Sequence, residues 1–568
     1  MAAEHDLVVV GAGWFGLAAA KSYIELHPGE SIVVLDGSSS FGGTWSADRL
    51  YPGLKSNNLY GSYEYPDFPM LQSVYGVKEG QHIPAAVLHR YLTDFAKHFG
   101  IYERTRLNTK VEGVEPSSTG GWLVNVVNAS GEPETVKTKR LVLACGLTSQ
   151  PNIPQYEGAD TFESPFFHAK DFCKRSDTVA ASNTAVVVGG GKSAMDIAYA
   201  FATEGHATVN LIIRPTGQGP VWLAQSYATP FKRDMQELLH TRALTWFSPC
   251  AWGDEDGFAI PRGFLHRTGM GRLLTDNYWN NMTAEIIETN GYDDHPEVFK
   301  LKPWNPVFWT GSGLGIHNFE TNFFDLVKEG KVRVHLADIS KLDGKTVHLT
   351  DGEQISTDVL ICATGWKKDV PLTFTNLPQG GIGLTQTGQE RADLIEKTNR
   401  EVLEMFPGLK RQPVLRYKRK DDDLHRMYRF MVPPALVNQR NLVFAGMVST
   451  TSTALFATMQ GLWISAFFDG KLARVASTEQ EITADVLRHT QWGRYRFPCG
   501  YGDSIPDFAF ESMPYIDMLL NDVGIETHRK RNQIAEIFEP YKPWDYKELA
   551  KEYLALREVK EIEDKKVA

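Results

Sequence analysis

The 568-residue sequence predicts an α/β protein of two three-layer units, each built on a parallel sheet, with a helical, aromatic-rich insertion in the second. Two short β-branched runs, Asp6-Leu7-Val8-Val9-Val10 and Thr184-Ala185-Val186-Val187-Val188, end abruptly in glycines, the pattern of a central strand covered on both faces. An alanine-containing helix and a further strand follow each, so the same βαβ grammar occurs twice. Across residues 217–324 that rhythm is lost and six of the 13 tryptophans crowd in: Trp222, Trp246, Trp252, Trp279, Trp304 and Trp309.

In chain order, the first βαβ unit closes with Ser31-Ile32-Val33-Val34-Leu35-Asp36. A helix near 85–99, hairpin-like strands near 111–127 and a strand near 140–144 complete its domain, expected over 1–178. The second domain is expected over 179–365, with its insertion at about 217–324. Asn441-Leu442-Val443-Phe444-Ala445-Gly446 reads as one more buried strand, so 366–475 should return to the first domain, leaving 476–568 as a helical extension. The tryptophan-rich stretch fits three readings: a substrate pocket, the core of an added helical layer, or a membrane-docking surface.

Composition narrows the partners. With 59 basic and 69 acidic residues the net charge is −10, so no global positive field exists to collect nucleic acid. Cys145, Cys173, Cys250, Cys362 and Cys499 form no C-x-x-C pair and no zinc spacing, so neither a metal nor a dithiol redox centre is expected. The first strand begins at once, without room for a signal or transit peptide, and no apolar run reaches the roughly 18 residues of a membrane span. A cytoplasmic protein whose membrane contact is at most peripheral is expected; no heptad or repeat indicates an oligomer.

Gly11-Ala12-Gly13-Trp14-Phe15-Gly16 is G-x-G-x-x-G between strand and helix, allowing a tight turn, close approach of a pyrophosphate, and a helix amino terminus facing its charge. Asp36, 20 residues past Gly16, stands where a carboxylate binds ribose hydroxyls, which points to an adenine dinucleotide in a Rossmann-like domain. Gly189-Gly190-Gly191-Lys192-Ser193-Ala194 is a G-x-G-x-x-A variant. A phosphate-binding P-loop is excluded because Val186 stands where that motif requires glycine. Arg214, 25 residues past Gly189 as Asp36 is past Gly11, replaces the carboxylate with a cation suited to a 2′-phosphate and so indicates NADPH.

These motifs, with those that follow, resemble the flavin-containing monooxygenases, class B flavoprotein monooxygenases, from the first strand to about residue 475, excepting the insertion. Gly42-Gly43-Thr44-Trp45 and Tyr51-Pro52-Gly53-Leu54-Lys55-Ser56-Asn57 are similar to the family's flavin-proximal segment. Phe162-x-Ser164-x-x-x-His168-x-x-x-Phe172 has the spacing of its fingerprint, with serine in place of a glycine, and Ala363-Thr364-Gly365-Trp366 resembles its A-T-G motif. The resemblance implies FAD contacts at Gly11, Gly13, Phe15, Gly16, Asp36, Gly43, Thr44, Trp45, Val111, Gly446 and Gln460. It implies NADP contacts at Ser56, Asn57, Gly189, Gly191, Lys192, Ser193, Ala194, Arg214, Ala363, Thr364 and Gly365, with Asn57 as the catalytic-site residue and His168 organising the domain junction.

The activity so implied is insertion of one atom of O2 into a small organic substrate through a flavin C4a-hydroperoxide that Asn57 and retained NADP⁺ shield. Oxygenation at nitrogen or sulfur is the expected reaction. The alternative is Baeyer-Villiger oxidation of a ketone, for which related enzymes usually carry aspartate at the position of Asn57. An NADPH-dependent oxidase without oxygen insertion is a further rival. A disulfide reductase lacks its cysteine pair here, and a non-enzymatic descendant would be expected to have lost a glycine fingerprint or Arg214.

Overall fold

The computed structural model describes residues 4–228, 233–377, 380–419 and 425–567. Strand β1 (Glu4–Val10) runs into helix α1 (Trp14–Leu26) and returns as β2 (Ile32–Leu35), with β3 (Lys55–Leu59) beyond it. An antiparallel meander, β4 (Lys110–Pro116), β5 (Trp122–Val127) and β6 (Pro133–Leu143), follows, and the upper half of β6 pairs in parallel with β1. Because alternate strand residues face opposite sides, Leu7 and Val9 enter the core shared with α1, whereas Val8 and Val10 enter a second core with Val111, Trp122 and Val136 of the meander. Both faces of β1 are therefore covered, which is why its sequence is continuously apolar.

The second sheet holds β7 (Phe166–His168), β8 (Thr184–Val188), β9 (Thr208–Ile212), β10 (Val332–His335) and β11 (Val359–Cys362), all parallel, in the order β10-β9-β8-β11-β7. Helix α2 (Lys192–Thr203) crosses between β8 and β9. Residues 166–168, expected in the first domain, lie here because Phe166, Phe167 and His168 pair with Leu360, Ile361 and Cys362 of β11. The insertion is largely helical, and its longest helix is α3 (Gly269–Asn290).

Strand β12 (Leu442–Phe444) pairs with Leu141–Leu143 of β6, so the chain does return to the first sheet. Helix α4 (Thr453–Phe468) is buried all round from Ala454 onward, as its uniformly apolar sequence requires of a central helix. The remaining chain supplies α5 (Glu479–Arg496) and α6 (Ser512–Val523). Arg242 of the insertion, fully buried, meets Asp517 of α6 and, at 2.5 Å, Glu536. A buried guanidinium needs such partners, and this cluster fastens extension to insertion. Among the described residues no helix is long and apolar enough to cross a membrane.

Candidate active site

Both glycine turns are shaped by close backbone approach. Gly11 has φ +109° and a Cβ there would sit 2.3 Å from the Ala144 carbonyl oxygen; Gly189 has φ +143° and the same 2.3 Å separation from that of Ala363. Gly13 and Gly191 are the N-caps of α1 and α2, with no side chain capping either helix. The first N–H groups of each are thus left for a ligand. Gly13 lies against Gly43, near enough for side chains to fill the cradle, while a Cβ on Gly191 would meet nothing within 4 Å. Each turn has the backbone shape to hold the pyrophosphate of a dinucleotide.

The strand ends differ in charge. The Asp36 carboxylate accepts from Ala12 N at 2.6 Å and Ser38 N at 2.7 Å, which holds it under the first turn. Burial raises its pKa, and the two backbone hydrogen bonds oppose the rise. Arg214 is exposed just beyond β9, with no ion pair among the described residues.

Between the units, His168 is buried; its Nε2 donates to Gly365 O at 3.0 Å and its Nδ1 accepts from Lys170 N at 3.1 Å. Burial lowers its pKa, consistent with a neutral ring. Thr364 Oγ1 donates to Asn152 O at 2.5 Å, so Ala363-Thr364-Gly365 is stitched to the chain leaving the first unit. Ser164, in the fingerprint's glycine position, is buried and donates to Thr357 O at 2.6 Å, a bond glycine could not make. Thr44 meets Thr148 at 3.2 Å, Trp45 donates to Tyr63 at 3.3 Å, and Val111 is buried in β4.

Three side chains have close partners within the protein. Ser56 Oγ donates to Asn58 O at 2.6 Å and accepts from Ile83 N at 2.9 Å. The Lys192 ammonium is paired with Asp196, donates to Asn318 Oδ1 at 2.7 Å and lies 4.2 Å from the Phe319 ring centre. Gln460, wholly buried, accepts from Gly446 N at 2.9 Å and donates to Tyr515 at 3.0 Å. It thereby fixes the Gly446 turn, which the Phe15 ring approaches so closely that a Cβ would meet it at 2.5 Å. Ser193 is exposed at the start of α2, while Ala194 is buried with its Cβ 3.4 Å from one built on Gly189.

Asn57 is exposed to a cavity that it helps to line. The pairing of β3 is irregular between Lys55 and Leu59, so Asn57 and its neighbour Asn58 both line the cavity instead of facing opposite ways. Asn58 Nδ2 donates to Gln236 Oε1 and Thr451 O, each at 3.1 Å, tying β3 to the insertion and to the loop before α4. Met235, Leu239, Trp279, Met282 and Ile286 of the insertion and Phe497 and Phe510 of the extension supply apolar wall. Its charged residues are Asp234 and Arg496, and Arg496 is committed to Ser248 at 2.9 Å and Glu511 at 3.5 Å.

Of the six insertion tryptophans, Trp222, Trp252 and Trp309 are core, Trp279 is both core and cavity wall, and Trp246 and Trp304 are half-buried. Among the three readings, the added-core one is met by Trp222, Trp252, Trp279 and Trp309, Trp279 also faces a cavity, and none of these indoles is exposed. Sequence motifs did not reveal Asn58, Gln236, Phe497 or Phe510, which converge from distant segments.

Comparison with known proteins agrees with this architecture. A structure of cyclohexanone monooxygenase from Rhodococcus sp. Phi1, bound to NADP⁺, matches with TM-score 0.57 and 18% identity, covering 91% of this chain and 97% of that one. S-allyl-L-cysteine S-oxygenase from Allium sativum matches with TM-score 0.52 and 16% identity over 92% and 89%. The fold is that of the class B flavoprotein monooxygenases. A family model described as L-lysine 6-monooxygenase/L-ornithine 5-monooxygenase matches residues 73–237. The FAD-dependent monooxygenase rstn6 of Aspergillus nomiae is 32% identical over 591 residues, spanning 99% of this chain and 100% of that protein. The chain belongs to the FAD-dependent monooxygenases.

Proposed function

We propose that the protein uses NADPH and FAD to place one atom of O2 on the nitrogen or sulfur of a small, mainly apolar substrate. The other atom leaves as water, and NADPH supplies the two electrons. The flavin would supply the oxygen chemistry and the nicotinamide the hydride. The chain's residues bind and orient: the Gly11 and Gly189 turns hold pyrophosphates, Asp36 a ribose, and Arg214 a 2′-phosphate. The cavity walls exclude water and align the substrate.

The observation that carries the reading is the neutral amide of Asn57 at an apolar cavity whose lining cation, Arg496, is already paired. A nitrogen or sulfur lone pair attacks a neutral oxidant and needs no cation beside it. Attack on a ketone uses an anionic oxidant, which an unpaired cation would favour. Solved relatives with this fold include both a ketone and a sulfur oxygenase, so the fold does not choose between them.

The test is turnover under ¹⁸O2 with thioanisole, N,N-dimethylaniline and cyclohexanone offered together. Labelled sulfoxide or N-oxide supports the proposal; labelled lactone alone replaces it with Baeyer-Villiger chemistry, and peroxide without labelled product with an oxidase. Asn57→Ala is expected to raise the ratio of peroxide to oxygenated product about tenfold, since losing a hydrogen bond worth roughly 1.4 kcal/mol changes a partition by that factor.

A further inference from the structure

A second cavity lies behind the first. Trp279 lines both, and of two consecutive residues Val307 faces the first cavity and Phe308 the second. The partition is thus one side chain thick at the Trp279 indole. That indole is buried, donates from Nε1 to Phe247 O at 2.9 Å, and makes ring contacts with Tyr278, Phe308 and Phe510. Arg496, which lines the first cavity, also lies over the Phe308 ring at 4.0 Å and the Trp279 ring at 5.1 Å. The second cavity combines apolar walls from Trp309, Phe406 and Leu409 with polar residues that include the Arg411–Asp276 ion pair, whose guanidinium is mostly exposed.

We propose that the second cavity is a vestibule for small, apolar-bodied substrates such as aryl sulfides, and that they reach the first cavity past the Trp279 indole. The inference takes from the proposed function only that substrate reacts in the first cavity. Rotation of that one indole, with release of its hydrogen bond to Phe247, is the motion that would join the two spaces. A polar mouth with an apolar interior admits a molecule that must shed water before meeting the site.

Gly408 lines the vestibule, has an ordinary backbone dihedral, and a Cβ built there meets only the Arg411 guanidinium, at 3.9 Å. Gly408→Phe therefore fills the vestibule at a distance from the first cavity. The probe is para-bromothioanisole, whose bromine quenches tryptophan fluorescence, mixed by stopped flow with FAD-loaded enzyme in the absence of NADPH. A blocked path raises one barrier crossed in both directions, so association and dissociation should slow together, by about tenfold, with Kd unchanged. Gly408→Ala should match the unsubstituted protein. Unchanged rates in Gly408→Phe would overturn the route, as would a slower association accompanied by weaker Kd, which marks a binding wall instead of a passage. If Gly408→Phe does not retain FAD, Asn280→Trp, at an exposed helical position on the same cavity, gives the same two readings. Failure to form sulfoxide when NADPH is added counts against the proposed function alone, because the entry rates are measured without turnover.

Discussion

The two nucleotide turns repeat one backbone solution with different side-chain endings. In each, a glycine at positive φ passes 2.3 Å, measured from a Cβ built on it, from the carbonyl oxygen of an alanine on the neighbouring chain, Ala144 in one unit and Ala363 in the other. The third small residue differs: a Cβ on Gly16 would lie 1.9 Å from Gly11 O, so only glycine fits, whereas the second unit accommodates Ala194. The strand ends differ more, with Asp36 tucked under its turn and Arg214 standing in solvent. Backbone sterics make the shared feature and are indifferent to the ligand; charge at the strand end distinguishes one dinucleotide from another.

The largest effects should come from breaking the shared feature in one unit at a time. Gly11→Ala should yield protein that does not retain FAD, read from the visible spectrum after gel filtration. Gly189→Ala should stay yellow but be reduced by NADPH about 100-fold more slowly, as strain of roughly 3 kcal/mol in the second turn implies. Loss of FAD from both variants would show that the two turns do not serve separate cofactors.

Next in size is the feature that differs. Arg214→Ala removes a charge-assisted contact worth about 1.5–3 kcal/mol, so KM for NADPH should rise about 10- to 100-fold while KM for NADH is little altered. Equal change toward both nucleotides would remove Arg214 from 2′-phosphate recognition.

The smallest effect concerns the junction. His168 is buried with its pKa lowered, so the unfolded chain protonates first as pH falls below 6.5. Its stabilising contribution is fully present above 6.5 and is lost as pH falls toward the lower folded value, at up to about 1.4 kcal/mol per pH unit. Against the unsubstituted protein, His168→Gln should show a shallower decline of Tm with acidification. Parallel declines would mean that His168 does not titrate in this way.

Much of the molecule is legible in the sequence because its signals are local. The two apolar strands ending in glycine, and the return of residues 442–444 to the first sheet, follow from burial on both faces and from turn sterics within a few residues. The contrast of Asp36 with Arg214 needs only a count along the chain. The protein partners of Ser56, Lys192 and Gln460 are chosen by packing and no motif records them: Ile83, Asn318 and Tyr515 lie far along the chain or in other elements. The strand at 166–168 joined the second sheet for a similar reason, since the available edge of β11 decides where it pairs.

By itself the sequence determined two βαβ units with glycine turns and the opposite charges of Asp36 and Arg214 beyond them, because hydrophobic period, glycine sterics and charge act within one strand-turn-helix. Only the tertiary structure decided the cavity at Asn57. Its walls come from β3, the insertion, the loop before α4 and the carboxyl-terminal extension, and no short-range pattern records that Trp279 and Phe510 will meet at 5.0 Å. The cavity is a property of what packs against the two βαβ units, and packing is the long-range part of the fold.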